Sequence, residues 1–207
     1  MQTAKLFVIG LIVVSCQLPL SASAQKTALY ESINQRDAAD WETALKIWRW
    51  AEPGYQETRS SQLLAETLTA AGFQVKRGVA KIPTAFTATY GKGQPVIGIL
   101  GEYDALPGLS QKAVPYRQKA TGHVYGQGCG HHLFGVASAS AAMALAEQIK
   151  AGKISGTVRF YGCPAEEGGS AKVFLVQAGL FKDCDAVLHW HPSSKNAAGD
   201  RSSLARN

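Results

Sequence analysis

With 207 residues, 46% of them hydrophobic and 17% charged, the chain is long enough to bury a sizeable core and too apolar to be disordered. Its formal charge of +6 comes from scattered lysines and arginines, with no basic run and no aromatic-interleaved stripe. That pattern argues against a nucleic-acid partner and for a mildly basic soluble surface.

The first 24 residues read as an exported leader. Lys5 gives a positive start, Leu6 to Val14 is a short apolar run, and Ala22-Ser23-Ala24 forms a small-residue cleavage site before Gln25. The apolar run is too short to span a membrane. Val13-Val14-Ser15-Cys16 also resembles a lipoprotein cleavage box, so membrane anchoring would arise only through a lipid on Cys16. Either route exports the protein, and a bacterial periplasm is the expected destination. Past the leader, Cys129, Cys163 and Cys184 are odd in number and cannot all pair. Pairing of Cys163 with Cys184 stays open beside two buried thiols.

A helix is expected over Thr27 to Ala51, with Leu45, Trp48 and Ala51 at helical intervals, stopped by Pro53-Gly54. A second runs from Glu57 to Ala71, with Leu63, Leu64 and Leu68 inward and Gly72 at its end. Phe73 to Arg77 and Thr84 to Tyr90 alternate as strands, and Gly91-Lys92-Gly93 reads as a hairpin-type turn. Val96 to Leu100 is an unbroken apolar strand, Gly135 to Ile149 an alanine-rich buried helix, and Thr157 to Tyr161 a strand. Ser170 to Ala178 is a helix ending at Gly179, and Ala186 to Trp190 is the last strand. The alternation predicts an α/β fold: a mostly parallel or mixed central sheet flanked by helices. Residues 193–207 are polar and read as the start of a linker.

Active sites of such sheets form at the carboxyl ends of the strands, and four polar clusters fall there. Glu102 and Asp104 follow the apolar strand directly; a polar turn explains them equally well. In Gly128-Cys129-Gly130-His131-His132 a thiolate and an imidazole two residues apart can reach one metal ion. A helix starting after this cluster would favour the thiolate. Glu166-Glu167 supplies one carboxylate for a metal and one as a general base, unless both merely open a helix. His189 and His191 lie two apart and would share one face of a strand, as two ligands or as one ligand and one packed ring. Together the clusters provide soft and hard ligands plus a spare carboxylate, the set that metal-assisted hydrolysis requires.

The segments Gly98-Ile99-Leu100-Gly101-Glu102-Tyr103-Asp104-Ala105-Leu106-Pro107, Gly128-Cys129-Gly130-His131 and Pro164-Ala165-Glu166-Glu167-Gly168-Gly169 resemble the aminoacylase/carboxypeptidase family of binuclear metallopeptidases, often called amidohydrolases. The resemblance runs from about Asp40 onward. It implies a zinc-peptidase-like catalytic domain holding two divalent ions, zinc, manganese or cobalt. Cys129, His131, Glu167 and His191 would be metal ligands, with His189 the alternative to His191. Glu166 would be the general base, and Asp104 a carboxylate that orients a ligand. The implied substrates are small N-acyl or N-aroyl amino acids and short peptides. The implied assembly is a homodimer or hetero-oligomer. In the family a lid domain and a last histidine ligand follow, so residues 25–192 are expected to be the N-terminal part of a catalytic domain incomplete at its C-terminus. A non-catalytic metal- or ligand-binding module, or an inactive fragment of the hydrolase, is the competing reading.

Overall fold

The computed structural model describes residues 22–122 and 124–195. The expected leader with Cys16 lies outside them except for residues 22–24, and the expected linker lies outside them beyond residue 195.

The chain opens with α1 (Ala22–Trp50), which starts five residues before the expected helix at Thr27. It buries Ala44 and Ile47, while Leu45 and Trp48 are only half-buried. A short loop leads to α2 (Thr58–Ala70). The buried Glu52 carboxylate reaches forward to cap this helix, accepting from the amides of Arg59 (3.1 Å) and Ser60 (2.8 Å) and from Ser60 Oγ (2.7 Å). These amides have no partner inside the helix, so a remote carboxylate both satisfies them and complements the helix dipole. Leu64 and Leu68 face the core.

The strands follow as β1 (Gln74–Arg77), β2 (Phe86–Lys92) and β3 (Val96–Gly101). Beyond the two-residue pair β4 (Leu106–Pro107) and β5 (Tyr125–Gly126) comes α3 (His131–Lys150). Then come β6 (Gly156–Gly162), the single turn α4 (Glu166–Gly169), α5 (Ala171–Gln177) and β7 (Ala186–Leu188). The main sheet has the order β1-β2-β6-β3-β7. β6, β3 and β7 are parallel, and β1 and β2 add an antiparallel edge.

Two expectations change here. Gly91-Lys92-Gly93 is no hairpin turn: Gly91 and Lys92 continue β2, and β6 lies between β2 and β3. β6 is buried along all but Arg159 of its length and takes the central place between them. β7 ends at Leu188, so His189 and His191 stand beyond the strand and escape its two-residue alternation.

Alternation along the strands divides the core. Ile99, Val158 and Phe160 pack under α1, α2 and α3. Leu100 and Tyr161 point to the other face, with Phe134, Ala171 and Leu175. α3 approaches the end of β3 closely because Gly135 has no side chain; an added Cβ would run into the Glu102 carbonyl oxygen and lie 3.2 Å from Leu64. Among the described residues, no helix is long and apolar enough to cross a membrane.

Candidate metal centre

The parallel run β6-β3-β7 ends all three strands at one edge of the sheet. Gly101 and Gly162 are register partners, so Glu102 and Cys163 leave the sheet side by side. Ile99 pairs with Leu188, so the chain carrying His189 to His191 continues past the same edge. The fourth contributor is the start of α3, where Gly130 takes φ +80 and turns the chain into the helix. His131 is therefore the first helical residue, four residues before the expected start at Gly135, and it is fully buried.

His131 is the hub. Its Nδ1 donates to Asp104 Oδ1 at 2.8 Å, which leaves Nε2 facing the cleft. Around Nε2 stand Glu102 Oε2 at 3.0 Å, Glu166 Oε2 at 3.9 Å and Glu167 Oε1 at 4.0 Å. Cys129 Sγ lies 3.3 Å from His191 Nε2, and donor atoms of Cys129, His131 and His191 all fall within 4.8 Å of one another. Glu102, His131 and Glu166 form a second such group. Asp104 serves both sides, since its Oδ2 accepts the amide of Glu167 at 2.9 Å. His189 departs from this pattern: its Nε2 lies 3.5 Å from Glu102 Oε1 instead of joining Cys129. All the residues singled out from the sequence thus converge, and His189 and His191 take different partners.

The donor spacing suits a cation. Two ligands on one tetrahedral zinc ion, each about 2.0–2.3 Å away, sit roughly 3.3–3.8 Å apart. The Cys129–His191 distance of 3.3 Å falls in that range. Glu102 Oε2 and His131 Nε2, both buried, face each other as an ion pair outside hydrogen-bond alignment.

Charge density sets the protonation of the metal-free site. Burial alone would lower His131, but the Asp104 hydrogen bond and the charges of Asp104 and Glu102 win and push it up to about 10. Burial pushes the Cys129 thiol up to about 12, with Glu167, Glu166 and Glu102 acting in the same direction. Burial, with the carboxylates, thus reverses the thiolate preference expected from the α3 N-terminus. Glu166 is also raised, by burial first and then by Glu102 and Glu167. Glu102 would be raised by burial, yet His131 and Lys172 bring it down to about 2.

Two contributors are absent from the sequence reading of the site, and a third, Glu102, is left there open between a functional carboxylate and a polar turn. Glu102 is 1% exposed and faces His131 directly. Lys172 Nζ donates to Glu102 Oε1 from the first turn of α5. Trp190 anchors the histidine segment, with Nε1 donating to Ser138 Oγ at 2.9 Å and its ring edge-on to Phe134 at 5.4 Å. Phe134 follows His131 by three residues on α3, a spacing that could have flagged it. Cys163 and Cys184 are both free thiols.

A mixed sheet with a Cys, His and Glu cluster at the ends of its parallel strands defines a metallopeptidase-type catalytic layer. The chain belongs to peptidase family M20/M25/M40, which it matches over residues 98–202. It is 49% identical over 150 residues to a subunit of the p-aminobenzoyl-glutamate hydrolase of Escherichia coli (strain K12), covering 72% of this chain and 31% of that protein. It is 32% identical over 165 residues to the Xaa-Arg dipeptidase of Mus musculus, covering 73% of this chain and 34% of that protein. A Bacillus subtilis structure, a dinuclear metal-binding peptidase from the M20 family, matches with a TM-score of 0.60 at 23% identity, covering 78% of this chain and 42% of that one; it shows the shared fold. The chain spans about a third of the length of these two curated relatives.

Proposed function

We propose that the chain carries most of the metal centre of an exported, metal-dependent amidohydrolase acting on N-acyl or N-aroyl amino acids or short peptides, p-aminobenzoyl-glutamate among them. The observation that carries this reading is the convergence of Cys129, His131 and His191 with Glu102, Glu166 and Glu167 at one sheet edge. The proposed substrate follows the relative that is 49% identical. It is supported by a cavity of about 630 Å³ that Gly128 shares with Arg117 and Lys119, a cationic wall suited to a substrate with free carboxylates. Export rests on the leader pattern, and a hetero-oligomer on that relative's being one subunit of its enzyme. Residues 25–192 are proposed as the N-terminal part of the catalytic domain.

Cys129, His131, His191 and Glu167 would hold two divalent ions, zinc, manganese or cobalt. Such ions lower the pKa of water and polarise the amide carbonyl. Asp104 fixes His131 with Nε2 free and at the same time holds the Glu167 amide. Glu166 takes a proton from the attacking water and returns it to the leaving nitrogen as the C–N bond breaks, so the proton count closes. Burial, with Glu102 and Glu167, raises its carboxyl, the direction that a group returning a proton needs.

The test is hydrolysis of p-aminobenzoyl-glutamate with and without a chelator, in the native protein and in Glu166→Gln. Activity should vanish with the chelator and fall about 100-fold or more in the variant, with metal content unchanged. Full turnover by Glu166→Gln would remove the general-base assignment. Turnover in excess chelator would remove the metal. Metal bound with no hydrolysis of any amide would favour the binding-module reading.

A further inference from the structure

The Glu166–Gly169 turn is too short to fix its own side chains. Glu167 and Gly168 depart from helical angles inside it, and the residues on either side, Ala165 and Ser170, both have φ of +50. A left-handed alanine is strained, so such a backbone persists only where its surroundings enforce it.

The enforcing contacts come from the loop between α1 and α2. Glu57, fully buried at the start of α2, accepts the Ala165 amide on Oε1 at 2.7 Å. Tyr55 donates its hydroxyl to the Gly169 carbonyl at 2.6 Å. Gly54 fits directly against Ala165, where an added Cβ would lie 2.9 Å from the alanine's own. The same loop is tied to the strand end that carries Asp104: the Glu52 carbonyl accepts the Ala105 amide at 2.9 Å, and Pro53 bridges to Ala105. One loop thus links the Asp104 segment to both ends of the Glu166–Glu167 turn.

We propose that Glu57 and Tyr55 are positioning residues, gripping the Glu166–Glu167 turn at its two ends and setting where both carboxylates stand in the metal centre. Neither touches substrate or metal; each acts through the backbone of the turn. The proposal rests on the metal-dependent reading of the site.

Cobalt(II) is the probe, titrated into the whole chain against a competing chelator, with the thiolate-to-cobalt absorption of Cys129 as the signal. Tyr55→Phe removes one hydroxyl from a 43% exposed ring and leaves the core intact. It should weaken cobalt affinity about tenfold, the usual effect of losing an outer partner of a ligand. Glu57→Leu, which cannot accept the Ala165 amide, should weaken it at least as much. Glu57→Gln, which keeps an acceptor oxygen, should restore binding. A merely structural role would move the melting temperature and leave the affinity of folded protein unchanged. If Glu57→Leu does not fold, Tyr55→Phe decides. Equal cobalt affinity in native and Tyr55→Phe protein would overturn the grip, as would a Glu57→Gln as damaging as Glu57→Leu. If Cys129→Ser leaves the cobalt signal unchanged, the metal centre itself is misassigned and the grip falls with it, a failure distinct from the other two.

Discussion

Asp104 is the most informative single position, because one carboxylate orients two candidate ligands. It is 1% exposed, and both oxygens are engaged, Oδ1 by His131 Nδ1 and Oδ2 by the Glu167 amide. Asp104→Asn keeps the shape but offers one acceptor oxygen to two donors. If that oxygen faces His131, the Glu167 amide meets an NH₂ group and loses its partner. If it faces Glu167, the imidazole either loses its partner or moves its proton to Nε2, where the lone pair aimed at the cleft disappears. Either outcome releases one ligand. Loss of such an outer partner weakens metal binding about 10- to 100-fold, or about 1.4–2.7 kcal/mol. The assay is a zinc or cobalt competition titration on protein shown by circular dichroism to be folded. Affinity within about twofold of the native protein would refute the role of Asp104 as a shared orienting group.

Metal uptake should release close to two protons around about pH 8, since ligands must bind deprotonated. His131 at about 10 and the Cys129 thiol at about 12 are both still protonated there in the metal-free site. Calorimetry in buffers of different ionisation enthalpy counts the protons, and a count near zero would contradict the two assignments. Burial raises Glu57 to about 7, so between pH 4.5 and 7 the unfolded chain gives up this proton while the folded chain keeps it. Stability should therefore fall as pH rises through that window, by about 3 kcal/mol from this group, and stay level above it. Urea melts at several pH values should show that slope in the native chain and lose it in Glu57→Gln. A thiol reagent should label the half-buried Cys129 and Cys184 before Cys163, which is 0% exposed. Zinc should then protect Cys129 selectively, and equal protection of Cys184 would argue against the site as drawn.

What the sequence shows of this molecule follows the reach of its signals. Period-two alternation places Glu102 and Asp104 on one side of the chain leaving β3, with Tyr103 turned the other way to donate to the Thr84 carbonyl at 2.6 Å. The shared side of the two carboxylates was therefore readable from spacing, whereas their convergence on His131 is a tertiary contact that spacing does not show. The start of α3 was less legible. Its first turn is His131-His132, polar in type, and apolar periodicity begins only behind it; the burial of His131 comes from tertiary contacts with Asp104 and Glu102. The supposed hairpin at Gly91-Lys92-Gly93 failed for a similar reason. A local glycine signal predicts a local pairing, whereas β2 and β3 are both claimed by β6, more than 50 residues later. The groups that hold the site are the most hidden of all. Lys172 meets Glu102 across 70 residues, and Glu57 meets Ala165 across 108. No periodicity links such positions. In the sequence Glu57 is indistinguishable from an acidic residue opening a helix, which it also is. The fold gives that same carboxylate a second task by bringing the Glu166 turn onto it.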